Sequence, residues 1–210
     1  MKQKPSTCLN VSLLLAAMTC PAGEILASEA PDITITIHVY NYAAVSEKTL
    51  ARAKEEAGWI FGNAGLTALW VDHALSAADL RHPHHSTDSW DGADYVLRLL
   101  TRSPETSSKN AMGESLSLDI ANVFMNRVTE QAAAGELSAS RMLAHAIAHE
   151  IGHLLLGDNS HSLGGIMVAP WSKQDLLRMV KGGLLFTHQE VTRIQAEVRH
   201  RSRSVRRVAD

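Results

Sequence analysis

The chain has 210 residues, 45% of them hydrophobic and 20% charged, the composition of an average globular protein for which one domain is the default. Twenty basic against 22 acidic side chains leave a formal net charge of -2, so no overall field draws the protein to nucleic acid or to an anionic surface. Eleven histidines against two cysteines turn attention to imidazole-based metal chemistry.

The start of the chain predicts an export signal over residues 1–27. Lys2 and Lys4 precede the apolar run Val11–Met18, and Ile25-Leu26-Ala27 offers a cleavage site. The run is too short to span a bilayer, so no transmembrane segment is expected. Both cysteines, Cys8 and Cys20, fall inside this segment, and an exported, periplasmic or secreted, mature chain would carry no thiol.

From Ile33 to Tyr40 β-branched residues alternate with other types and predict a strand. Ser46 caps a helix over Glu47–Asn63, Gly65 closes it, and Leu66–Val71 reads as the next strand of a β-α-β unit. Residues 73–91 read as a loop, and Pro83 breaks any regular ligand spacing in His82-Pro83-His84-His85, so these histidines are expected to be solvated. Tyr95–Leu100 predicts a third strand and Ala121–Val128 a fourth, near a sheet edge because polar residues intrude on it. A helix is expected over Ala139–Leu156, a short one over Ser172–Val180, and a last one over Thr187–Arg199 with Thr187 and Glu190 as capping box. The basic tail, residues 201–210, predicts an unstructured end.

Residues 149–153 read His-Glu-Ile-Gly-His within the longest helix. Positions four apart project from one helical face about 5.4 Å apart along the axis, so His149 and His153 can close on one ion without bending the backbone. Neutral imidazoles suit zinc, and Glu150 is placed to act as base toward a water beside the metal. A catalytic zinc takes three protein ligands as a rule, and His161 is the best candidate for the third, because a turn at Gly157 lets the chain swing back; Asp158 and Asn159 are the alternatives. His145, one turn before His149, reads as a packing or supporting residue.

Gly164-Gly165-Ile166-Met167 follows closely, and with it the segment Ala144–Trp171 resembles the metzincin zinc peptidases, marked by HExxHxxGxxH and a methionine-bearing turn beneath the metal. His149, Glu150, His153, Gly157, His161 and Met167 match those elements, and Gly152 and Ser162 are similar to the matrixin branch. The spacing departs from the family: three residues separate His153 from Gly157 and Gly157 from His161, where the family has two and two.

The resemblance implies an α+β, metzincin-like fold: a mixed twisted sheet of about four to five strands with a backing helix and an active-site helix, then a small C-terminal helical subdomain. The domain would cover 28–200 and divide near 157. The resemblance further implies a Zn(2+)-dependent endopeptidase with Met167 as floor of the site and a peptide or protein substrate laid along the edge strand Ala121–Val128. Two other readings stay open: a zinc hydrolase of a non-peptide substrate, and a non-catalytic zinc-binding module. Glutamate between the histidines speaks against the second, since a structural site has no use for a base.

Overall fold

The computed structural model describes residues 33–75, 94–108, 111–157 and 160–209. The export segment expected over 1–27, the His82–His85 stretch, and Asp158 and Asn159 lie outside the described residues. No helix among the described residues is long and apolar enough to cross a membrane.

The alternation in β1 (Ile33–Asn41) puts Ile33, Ile35, Ile37 and Val39 into the core and leaves Thr34, Thr36 and His38 on the opposite face. Ser46 accepts from the Thr49 backbone N–H and starts α1 (Glu47–Asn63), whose Leu50, Ala53, Ala57, Ile60 and Phe61 recur at helical spacing and are buried. The chain returns as β2 (Leu66–His73), parallel to β1 with Ile33 opposite Leu66 and Tyr40 opposite His73. β3 (Asp94–Leu100) joins the other side of β1, also parallel, and contributes Tyr95, Leu97 and Leu99 to the core. β4 (Gly113–Ser115) and β5 (Ile120–Phe124) complete a sheet of order β2-β1-β3-β5-β4, in which β4 alone runs antiparallel to its neighbour.

Two expectations about this region are corrected. The segment Ala121–Val128 is not one strand, because the chain turns helical at α2 (Met125–Ala134), where Val128 and Ala132 are buried four residues apart. Nor is it the edge, since β4 lies outside it. The Asn126 side chain accepts from the Ser103 N–H and its own N–H donates to Thr101, which holds the strand-to-helix corner.

Ser138 caps α3 (Ala139–Leu156), which packs on α1, α2 and the sheet and is buried along nearly its whole length. It stops at Gly157, whose φ of 87° and ψ of 172° lie in a region essentially reserved for glycine. α4 (Lys173–Val180) begins with a capping box from Ser172 and Asp175, and the box predicted at Thr187 and Glu190 starts α5 (His188–Ala209).

The last helix does not end where the composition turns basic. Arg201 pairs with Glu197 at 2.7 Å, lies over the Tyr95 ring, and donates to the carbonyls of Leu118 and Leu154, each at 3.1 Å. The expected unstructured tail is therefore helix as far as Ala209. Arg201→Ala is expected to cost about 1–3 kcal/mol by leaving two carbonyls without their charged donor. Denaturant melts and helical circular dichroism check this, both falling below wild type.

Candidate metal centre

α3 carries His149, Glu150 and His153 on the side that faces a cleft of about 610 Å³, open to solvent between β4 and the segment Val168–Trp171. Gly152 lets the helix sit directly on the turn below it. A Cβ there would lie 2.6 Å from Met167 Sδ and 2.9 Å from Phe186, so the glycine of His-Glu-Ile-Gly-His is a packing requirement. Met167 itself is fully buried beneath the site.

The two helical histidines are held through their second nitrogens. His149 Nδ1–H donates to the Ile166 carbonyl at 2.8 Å, and His153 Nδ1 meets Ser160 Oγ at 2.9 Å. With His149 Nδ1 donating, its Nε2 lone pair faces His153 Nε2 at 3.1 Å, a separation at which one cation can be held by both. Past the Gly157 turn, His161 comes back to the same point. Its ring centre is 5.4 Å from that of His149 and 4.8 Å from that of His153, and one nitrogen from each of the three rings lies within 4.8 Å of the others.

This donor set fits zinc. Nitrogens at about 2.0–2.1 Å from a tetrahedral ion lie about 3.3 Å apart, which the helical pair already satisfies and the loop-borne His161 approaches to within about an ångström or two. The histidine pair His38 and His73 makes the contrast. Its ring centres are farther apart, 5.2 Å against 4.8 Å, although its nitrogens are closer, 2.9 Å against 3.1 Å. Among the described residues, it is His149 and His153 that form, with His161, a cluster of three metal-ligating side chains.

Burial sets the protonation of the three helical groups. Loss of solvent pushes His149 down to about 4, opposed by its bond to the Ile166 carbonyl and assisted by His161. His153 is likewise pushed to about 4 by desolvation, then by its two histidine neighbours. Glu150 moves the other way, up to about 8, through desolvation and then the negative charge of Glu114.

Several contributors carry no motif: Ser160, the Ile166 carbonyl, Trp171 and Gly113. A Cβ on Gly113 would lie 2.5 Å from Glu150 Cγ and 2.6 Å from its Cδ, so the missing side chain is what gives the carboxylate its room. His145, buried one turn before His149, is bonded through Nδ1 to the Arg141 carbonyl at 3.0 Å and takes no part in the triad.

The described chain is thus a mixed α+β sheet over a helix that presents a histidine triad and a glutamate to a cleft. Among solved structures it is similar to an archaemetzincin from Methanopyrus kandleri, with 14% identity, a TM-score of 0.52, and 80% of this chain and 97% of that one covered. It is also similar to an archaemetzincin from Archaeoglobus fulgidus complexed with malonate, with 19% identity, a TM-score of 0.50, and 76% and 99% covered. The fold expected from the sequence is therefore the one these structures share. No protein-family model matches the chain, and comparison with curated proteins returns no match.

Two outcomes are expected from this geometry. Gly113→Ala should destabilise the protein by about 1–3 kcal/mol through overpacking. In a double-mutant cycle of denaturant melts, part of that cost, about 0.5 kcal/mol or more, should vanish in a Glu150→Ala background. The pH dependence of the metal-free protein has opposed contributions. His149 and His153 bind protons in the unfolded chain near 6.5 and in the folded one only near 4, so their contribution is full above 6.5 and is lost as the pH falls. Glu150 contributes below its ordinary 4.5 and loses that contribution as the pH rises through about 8. Thermal melts should therefore show a maximum near neutrality, and in Glu150→Gln the decline on the alkaline side should disappear.

Proposed function

We propose that this protein is an exported zinc-dependent endopeptidase. The observation that carries the reading is the convergence of three imidazole nitrogens within 4.8 Å beside a buried glutamate, at the wall of an open cleft. His149, His153 and His161 would hold the ion, whose chemistry is Lewis acidity, lowering the pKa of a water beside it toward 7 and polarising a carbonyl.

Glu150 does the proton work. A cation next to it favours its carboxylate form against the desolvation that otherwise keeps it neutral. As a carboxylate it takes a proton from the water as that oxygen forms its bond to the carbonyl carbon, and it returns the proton to the amide nitrogen as the C–N bond breaks. Burial keeps the protonated carboxyl from exchanging that proton with bulk solvent before the nitrogen leaves.

A peptide is supported as substrate by β4. In its antiparallel ladder the Glu114–Asn122 pair bonds inward, as do Phe124 N–H to Met112 and Leu116 N–H to Ile120. The N–H and C=O groups of Gly113 and Ser115 therefore point away from the sheet. An extended chain laid there adds a strand and passes the metal centre on its way. The edge that takes the substrate is accordingly β4, in place of Ala121–Val128. The archaemetzincin likeness agrees with this reading at the level of fold.

Elemental analysis with casein or gelatin digestion tests the proposal. Wild type and Glu150→Ala should each carry about one zinc, while digestion falls by about 10²–10⁴-fold in the variant. Zinc without digestion in the wild type would favour a hydrolase of non-peptide substrates, and a chain that binds no zinc overturns both. His161→Ala should lose tight zinc; full retention would move the third ligand to Asp158 or Asn159.

A further inference from the structure

The Ile166 carbonyl accepts twice. Besides the His149 Nδ1–H at 2.8 Å it takes the indole N–H of Trp171 at 3.0 Å, so both oxygen lone pairs are used. The Trp171 ring then stands edge-on to His149, with centres 5.6 Å apart at 89°, and edge-on to His145, with centres 6.3 Å apart at 87°. His145 is itself immobilised, buried on α3 and tied to the Arg141 carbonyl. Trp171 thus meets both a fixed ring, His145, and the ligand ring, His149, while another part of its surface lines the cleft.

These contacts constrain His149 in two ways. Rotation about its side-chain bonds would drive the imidazole against the indole. A peptide plane pinned by two donors also presents its oxygen to Nδ1 in one direction only, which selects the Nδ1–H tautomer and leaves Nε2 bare toward the other two histidines. Groups that fix the tautomer and rotamer of a ligating histidine are worth about 10–100-fold in metal affinity where they have been removed.

We propose that Trp171 is a positioning residue for the metal ligand His149, acting through the carbonyl of Ile166. The inference rests on the zinc reading of the site, but part of its test does not. In metal-free protein, long-range ¹⁵N–¹H spectra of the histidine rings should show His149 as the single Nδ1–H tautomer in wild type. In Trp171→Ala they should show a mixture of tautomers, with Trp171→Phe, which keeps an aromatic wedge but no N–H, in between. Competition with a chelator should then give a zinc affinity about 10-fold weaker in Trp171→Ala and partly restored in Trp171→Phe.

Unchanged His149 tautomer and unchanged zinc affinity in both variants would overturn the inference while leaving the zinc reading intact. A wild type that binds no zinc would overturn the zinc reading, and the tautomer spectra would still decide whether Trp171 governs His149. Should Trp171→Ala fail to fold, Trp171→Phe carries the same two readouts.

Discussion

One helix places a buried imidazole, His149, and a half-buried one, His153, so that each engages one nitrogen with a neighbouring polar atom, and everything at the centre follows from that. His149 gives its Nδ1–H to a carbonyl of the turn beneath the helix, His153 faces a serine of the returning loop, and both second nitrogens are left converging. A buried histidine without such a partner would choose its tautomer and rotamer freely and leave a polar atom unsatisfied. The turn that carries Ile166 and Met167 is therefore the acceptor platform for His149 as well as a hydrophobic floor. Gly152 is what allows the helix to come down onto it.

The platform can serve only if α3 is held at its far end too. Helix termini leave carbonyls without intrahelical donors, and here α5 supplies them: Arg193 donates to Leu156 and Arg201 to Leu154. Both cations lie at the negative end of the helix dipole, just before the Gly157 turn that redirects the chain toward His161. Arg201, at the start of the basic stretch, is in this sense a clamp on the helix of the candidate metal ligands, its charge directed inward at backbone oxygens.

How much of this is legible in the residues depends on whether the partners are local. The alternation of β1, the cap of α1, the Gly157 turn after α3, the Thr187–Glu190 box and the four-residue interval of His149 and His153 are all written within one turn or one strand, and they read correctly. β4 is three residues, too short for periodicity, and α2 starts after Phe124 with no side-chain cap to mark it, so Val123, Phe124, Met125 and Val128 imitate a longer strand. The helical continuation of the tail depends on carbonyls 83 and 47 residues away from Arg201, which composition cannot express. The Ile166 carbonyl has no signature at all, being a backbone atom, and Gly113 matters because the Asn122 carbonyl of the neighbouring strand and Glu150 of a distant helix both crowd it.

The same absence of water acts with opposite consequences on the three helical groups. Desolvation disfavours charge, so it keeps His149 and His153 neutral, which is the form that binds a metal, and keeps Glu150 protonated, which is the form that does not accept a proton. On the zinc reading, burial by itself thus prepares the ligands and disfavours the carboxylate that would act as base. A divalent cation at the histidines reverses only the second effect, because it attracts the carboxylate while still requiring neutral imidazoles. Glu114 adds a further negative charge near Glu150, which raises its proton affinity and steepens that dependence.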